Sequence, residues 1–235
     1  MIRVNNKLSI IIPIYNEKNT IQKLLNKIYK LSDIKKEIIV VDDASNDGTI
    51  NILKKNKNKI TKLIQHKKNL GKGAAIKSAQ RFVKGNVVII QDADLEYNPV
   101  DYRKLLYFIN KGCKVVYGSR VLGKNRYLLK NFSSVYRIFF NHILTIISNF
   151  LNNQKLTDAH TCYKMFSSDI FLNIKLKEND FSFCPEITTK IGLRKIKIKE
   201  VPIKYDGRSY DDGKKIKLVD GLKAIKTLFK YRFFE

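Results

Sequence analysis

The sequence predicts an α/β fold built on a mostly parallel central sheet with helices on both faces. Two observations carry this. Short apolar runs rich in β-branched residues alternate with stretches in which apolar residues recur at helical spacing. The apolar runs also end, one after another, in acidic or turn-forming residues, as buried parallel strands do where they reach a binding crevice.

Taken in order, Leu8 to Ile12 is a buried-strand run ending at Pro13, and Ile14-Tyr15-Asn16-Glu17 leads into a helix. That helix carries Ile21, Leu24, Leu25 and Ile28, an i, i+3, i+4, i+7 stripe. Glu37 to Val41 forms the second strand, followed by Asp42-Asp43 and a loop dense in turn and cap residues up to Thr49, where a helix begins. Ile60 to Gln65 is the third strand, and Asn69 to Ala75 opens a helix running to about Lys84. Val87-Val88-Ile89-Ile90 is the fourth strand, a helix spans about Pro99 to Asn110, and Lys114 to Tyr117 is the fifth strand. Beyond Gly118-Ser119-Arg120 the pattern changes. A long helix runs from about Tyr127 to Leu151, a polar loop from Asp158 to Tyr163 leads to a short strand, and Ser168-Asp169 caps a brief helix. Phe183-Cys184-Pro185 opens another helix, with proline in its first turn. Lys195 to Tyr205 is β-like, and a basic amphipathic helix from about Ile216 to Phe234 closes the chain.

At 235 residues and 44% apolar composition, the chain is long enough for one large domain with a real core. We expect a single domain over 1–235, with residues of about 8–120 as one half and about 121–235 as a second half carrying the amphipathic helices. No stretch reaches roughly 18 uncharged apolar residues, and the first residues do not resemble a signal peptide. Cys113, Cys162 and Cys184 are scattered without metal-ligand spacing, as in a reducing compartment. The expected location is therefore cytoplasmic, with room for contact with the cytoplasmic face of a membrane. A net charge of +25, from 46 Lys+Arg against 21 Asp+Glu, admits nucleic acid, an anionic membrane or polyphosphate substrates as partners. No RNA- or DNA-binding signature accompanies it, so no nucleic acid is expected. Abundant lysine, asparagine and isoleucine also fit simple compositional drift.

The stretch on which the chain turns is Val87 to Glu96. Asp92 and Asp94 follow a buried strand one residue apart, with Glu96 after them. If the backbone stays extended, Asp92 and Asp94 point to one side, where their repulsion favours a hard divalent cation, Mg²⁺ or Mn²⁺, shared with a nucleotide's phosphates. The plainer alternative is a strand end with solvated acids. Lys72 lies between two glycines at a helix start, where backbone N–H groups, the helix dipole and an ammonium suit a diphosphate. Arg120, Arg208, Lys214 and Lys215 are cations with few acidic neighbours in sequence, and suit a phosphate. His66, His142 and His160 have no mutual spacing for metal or triad chemistry.

Four motifs occur in order: Pro13-Ile14-Tyr15-Asn16-Glu17; Asp42 to Thr49 as D-D-x-S-x-D-G-T; Asn69 to Gly73 as N-x-G-K-G; and the D-x-D at Asp92–Asp94. Together they resemble the inverting family 2 glycosyltransferases of GT-A fold, over Leu8 to about Lys215. Asp92-Ala93-Asp94-Leu95-Glu96, Gly118-Ser119-Arg120, Val201 to Tyr205, Gly207-Arg208 and Gly213-Lys214-Lys215 are most similar to the dolichyl-phosphate mannose synthase group. The resemblance implies that Pro13, Tyr15, Glu17, Asp42 and Asp43 hold the donor nucleoside and that Lys72 and Asp92 meet its diphosphate. It also implies catalytic roles for Asp92, Asp94 and Arg120, and a third metal-ligand role for Glu96, where those enzymes often carry Gln. The implied reaction moves a sugar from a nucleotide-diphosphate donor, of open base and sugar, to a polyprenyl phosphate. Arg120, Arg208, Lys214 and Lys215 would hold the acceptor phosphate, which needs no general base. A glycan hydroxyl is the competing acceptor, and it would need a base, for which Asp158 is the candidate. A nucleotidyltransferase would open with a glycine-rich loop that is absent after the first strand, and a non-catalytic basic module would have no use for paired aspartates.

Overall fold

The computed structural model describes residues 6–123, 135–207 and 218–235. Its elements follow the expected alternation: β1 (Leu8–Ile14), α1 (Ile21–Tyr29), β2 (Lys36–Asp42), α2 (Thr49–Lys55), β3 (Lys62–Gln65), α3 (Lys72–Gln80), β4 (Val87–Ile90), α4 (Tyr102–Asn110) and β5 (Val115–Ser119). They continue with α5 (Val135–Asn152), β6 (Lys164–Ser167), α6 (Ser168–Asn173), α7 (Phe183–Leu193), β7 (Ile198–Pro202) and α8 (Leu218–Phe233). The strands form one sheet in the order β3-β2-β1-β4-β6-β5-β7. β6 runs antiparallel to both β4 and β5, and all other pairings are parallel. The order reverses between β1 and β4, so a crevice opens there at the carboxyl ends of the strands.

The central strands are fully covered. Every residue of β1 and of β4 is buried, as the uninterrupted apolar runs require of strands packed on both faces. In α1 the predicted stripe of Ile21, Leu24, Leu25 and Ile28 is the buried face.

Three element boundaries differ from the sequence expectation, each for a local reason. The segment from Pro99 starts as a 3₁₀ turn, capped by the Asn98 side chain on the Val100 N–H, and becomes α-helical only at Tyr102. β3 begins at Lys62 rather than Ile60, because a single 3₁₀ turn occupies Lys57–Lys59. α3 stops at Gln80 because the chain must descend to Lys84 and Gly85, whose N–H groups donate to Glu37 Oε1 at 2.6 and 3.0 Å.

Glu37 is 2% exposed and also accepts from Ser9 Oγ and from Lys7 Nζ, both at 2.5 Å. This carboxylate ties the amino end of β2 to β1 and to the turn before β4, the edge of the sheet opposite the crevice. Burial opposes ionisation there, but the donors hold its carboxyl below the ordinary glutamate value. Glu37→Ala leaves the Ser9 hydroxyl and the Lys84 N–H without their acceptor, while the Gly85 N–H keeps Ser9 Oγ, so it should cost about 2 kcal/mol, read as a lower denaturant midpoint at unchanged m-value.

Candidate active site

A cleft of about 460 Å³ lies over the crevice. It is lined by Pro13, Tyr15, Glu17, Asp43, Lys72, Asp92, Asp94, Glu96 and Arg120, residues far apart in sequence and all expected at the site. The lining continues over Phe140, Asn141 and Leu144 of α5, Phe181, Phe183 at the start of α7, and Asp220 and Ala224 of α8, and Lys72 Nζ lies 5.8 Å from the ring centroids of both Phe181 and Phe183.

The loops after β1 and β2 are locked together by residues for which the sequence offers no separate chemistry. Asn16, at φ +52°, donates its N–H to Ser45 Oγ at 2.9 Å, and its side-chain oxygen accepts from Asn46 N. Glu17 N donates to Thr49 Oγ1 at 2.9 Å, and Lys18 N to Asp47 Oδ2 at 3.0 Å. Two motifs therefore build one rim. Asp42, at the end of β2, is fully buried, and neither of its carboxylate oxygens makes a hydrogen bond among the described residues. Burial raises its pKa, with Ser45 opposing that shift in part.

Asp43 is placed differently from expectation. Its oxygens are occupied by the chain itself: Oδ1 accepts from Leu70 N at 2.9 Å and faces His66 Nδ1 at 2.6 Å, while Oδ2 accepts from Gly71 N at 2.7 Å. It anchors the loop before α3 rather than reaching for a nucleoside. On the other side of that loop, Gly71, at φ +96°, has no room for a side chain. A Cβ there would lie 2.5 Å from Asn179 O, and Ala74 N donates to the same carbonyl at 2.9 Å. Thus held, α3 presents Lys72, which forms an ion pair with Asp92 across the cleft. Burial would lower the lysine's pKa, but Asp92 overrides it and keeps the ammonium charged. Cys162 Sγ lies 3.7 Å from Lys72 Nζ, and burial pushes that thiol well above its usual range. Cys162 and Cys184, unconnected by sequence spacing, both line the cleft.

The D-x-D backbone does not stay extended. β4 ends at Ile90, and the chain turns through residues 93–96 with Leu95 at φ +65° and Asp94 Oδ1 accepting from Glu96 N at 3.1 Å. A non-glycine residue in that conformation stores strain. Glu96 Oε2 accepts from Tyr205 OH at 2.8 Å. Among the described residues no three His, Cys, Asp or Glu side chains gather into a metal-holding group, although Asp92, Asp94 and Glu96 all line the cleft. Asp92 and Asp94 on the cleft wall still fit a hard cation, which is commonly held by one or two carboxylates together with substrate phosphates.

Arg120 and Asp158, which the sequence offers for two different acceptors, are partners. Arg120 Nε donates to Asp158 Oδ2 at 2.7 Å and Nη2 to Oδ1 at 2.8 Å, with both side chains under a tenth exposed. Arg120 also stacks over Tyr205, 5.1 Å from guanidinium carbon to ring centroid. Glu200 of β7 fixes the Asp158 loop by accepting from Thr157 N and Asp158 N. Burial would raise the Asp158 pKa, but Arg120 brings it below the ordinary value. A carboxylate so committed, and absent from the cleft wall, is a poor general base; we read it as the residue that positions Arg120. His160 lines the cleft, and burial lowers its pKa to about 3, so it is neutral at physiological pH. Arg208, Lys214 and Lys215 lie outside the described residues.

The profile of glycosyl transferase family 2 matches residues 9–174. The chain is similar to a dolichyl-phosphate beta-glucosyltransferase of Trichomonas vaginalis, 27% identical over 252 residues that span 96% of this chain and 73% of that one. It is also similar to a dolichol-phosphate mannosyltransferase of Pyrococcus furiosus, 34% identical over 116 residues that span 48% of this chain and 33% of that one. Among solved structures, glucosyl-3-phosphoglycerate synthase from Mycobacterium tuberculosis, in complex with Mn²⁺, UDP and glucosyl-3-phosphoglycerate, superposes with a TM-score of 0.73 at 16% identity, covering 97% of this chain and 80% of that one. At that identity the likeness establishes the GT-A fold alone.

The Arg120–Asp158 pair generates a prediction. Asp158→Asn should destabilise the fold by about 3 kcal/mol, because it leaves a buried guanidinium without its counter-charge. The folded-state pKa of Asp158 lies below the unfolded value of 3.8, so the stabilisation is complete above that value and is lost as pH falls through the folded-state pKa. Thermal melts should therefore show wild type and variant converging only in strong acid. A variant as stable as wild type at neutral pH would restore Asp158 as a candidate base.

Proposed function

The chain belongs to glycosyl transferase family 2 and is a glycosyltransferase, and on that premise we propose that it moves a sugar from a nucleotide-diphosphate donor to a polyprenyl phosphate. The observation that carries the acceptor is the mixed lining of the cleft, where charged groups at the strand ends share one space with the apolar side chains of Phe140, Leu144, Phe181, Phe183 and Ala224. A lipid phosphate joins the same two chemistries. The lipid-phosphate acceptors in the names of two relatives support the same reading.

On this reading Pro13, Tyr15 and Glu17 line the nucleoside site. Asp42, also expected there, is fully buried at the end of β2 and is not on the cleft wall. Lys72 and the amino end of α3 take the diphosphate, with Lys72 exchanging part of its contact with Asp92 for phosphate oxygen. Asp92 and Asp94 would hold Mg²⁺ or Mn²⁺, which when bound supplies charge neutralisation to the diphosphate leaving group.

The acceptor phosphate lies near Arg120, and the sequence resemblance assigns Arg208, Lys214 and Lys215, outside the described residues, to the same phosphate. A phosphate oxygen attacks the anomeric carbon as the bond to the diphosphate oxygen breaks on the opposite face, so configuration inverts and the nucleoside diphosphate departs. A phosphate monoester already carries the attacking electron pair at neutral pH, so the step needs no proton acceptor. That agrees with the commitment of Asp158 to Arg120. The chain's remaining work is to hold the two reactants in line.

The outer faces of α5 and α8 fit a membrane-borne acceptor. α5 exposes Phe139, Ile146 and Phe150, and α8 exposes Leu222, Phe229 and Phe233, each set spaced i, i+7, i+11 opposite the helix's buried face. Lys223, Lys226, Lys230 and Arg232 are exposed beside the α8 stripe. Apolar stripes flanked by lysine suit the headgroup region of an anionic bilayer. Among the described residues no helix is long and apolar enough to cross a membrane.

Two measurements test the reading. Asp94→Asn should reduce metal-dependent transfer at least about a hundredfold and abolish the Mn²⁺-dependent rise in melting temperature with UDP or GDP. An unchanged response would place the metal elsewhere. Arg208→Ala should reduce transfer to a short-chain prenyl phosphate by more than about tenfold while nucleotide binding persists. Transfer to a sugar alcohol, with no prenyl phosphate ever glycosylated, would overturn the lipid acceptor.

A further inference from the structure

Resting on the reading of Lys72 as the donor diphosphate's lysine, we propose that His66 is a positioning residue for that site, acting through Asp43. His66 follows β3 directly, and its N–H donates to Asp42 O at 2.9 Å, extending the β2–β3 ladder. Its ring then bridges two elements that sequence leaves unrelated. Nδ1 meets Asp43 Oδ1 at 2.6 Å, and Nε2 meets Ser78 Oγ of α3 at 2.8 Å. The side chains of His66 and Asp43 are 8% and 5% exposed. Asp43 can only accept, so Nδ1 carries the proton and donates.

These contacts close a ring. Asp43, fixed to β1 by its own N–H on Ile14 O at 2.8 Å, takes the N–H groups of Leu70 and Gly71. Those are the two residues before Lys72. The imidazole fixes the rotamer of Asp43, and through Ser78 it fixes the body of α3. The helix is thereby held at the two residues before its start and again in its last turn. Gly71 abuts the backbone of Asn179 on the far side, so the loop has no direction in which to yield. Without the ring, Asp43 regains rotamer freedom and the Leu70–Gly71 turn loses its template. Lys72 then samples positions away from the diphosphate. The cost falls on donor binding, not on the bond-making step.

The test compares the wild-type chain with His66→Ala, His66→Asn, Ser78→Ala and Lys72→Ala. Two readouts are used: amide hydrogen exchange of Leu70 and Gly71, and steady-state transfer from UDP-glucose or GDP-mannose, whichever the wild-type chain turns over. His66→Ala should speed exchange at both amides and raise the donor KM about tenfold, with kcat within about threefold. His66→Asn, which keeps an N–H near the Nδ1 place, should recover most of both effects, and Ser78→Ala should show a smaller shift in the same direction. Those two milder variants carry the test if His66→Ala does not fold. Unchanged exchange at Leu70 and Gly71 overturns the inference, as does a fall in kcat at constant donor KM. A donor KM unmoved in Lys72→Ala would instead overturn the parent reading of the lysine, while the exchange data still decide the ring.

Discussion

The ion pair between Lys72 and Asp92 is the interaction on which the arrangement of the cleft depends. Both charges sit where water is largely excluded, so each would be costly alone, and together they fix the distance between the start of α3 and the end of β4. That distance spans the point where the strand order reverses, which is where a parallel sheet opens a crevice. A cation and an anion left facing one another there form a site prepared for a ligand that is itself anionic and metal-binding. A diphosphate can replace the carboxylate as the partner of the lysine, and a hard cation can replace the lysine as the partner of the carboxylate.

Much of the chain's polar chemistry serves to keep those two charges in place. Asp43, Ser45, Asp47 and Thr49 satisfy backbone donors of neighbouring loops, so that the rims after β1, β2 and β3 behave as one body. On the other side of the sheet's centre, Glu200, Asp158 and Arg120 form a buried relay of acceptor, carboxylate and guanidinium. Its effect is to hold one guanidinium at the cleft wall against Tyr205, whose hydroxyl in turn donates to Glu96. Preorganisation of this kind lowers the cost of ordering at the moment of binding.

The half after β5 supplies a different solvent. α5, α7 and α8 pack on one another through inner faces such as Ala224, Leu228 and Tyr231, and contribute Phe140, Leu144 and Phe183 to the cleft. Their outer faces remain apolar as well, with Phe150 86% exposed and Leu222 70% exposed. A helix apolar on two opposite sides has more greasy surface than its own fold can cover. The excess basic charge of the chain is represented there too, so charge that composition alone could ascribe to drift lies beside the exposed stripe.

The strands, the helical faces and the residues at the strand ends were legible from sequence because each is a local property. Burial of Val87–Ile90 on both faces shows as an unbroken apolar run, and the face of α1 shows as its i, i+3, i+4, i+7 stripe. The four motifs placed Pro13, Tyr15, Glu17, Lys72, Asp92 and Asp94 on one cleft wall for the same reason. Partnership was not legible. Arg120 meets Asp158 because β6 inserts antiparallel between β4 and β5, setting the start of one strand beside the end of another. His66 meets Asp43 because β3 pairs with β2 in a register that sequence does not encode locally. Glu96 meets Tyr205 after a left-handed turn at Leu95 that no residue type there announces. Sequence determined which groups carry charge and roughly where each strand delivers them. Tertiary structure alone decided which charges neutralise one another, because that depends on distances of a few ångströms between segments that share no local pattern.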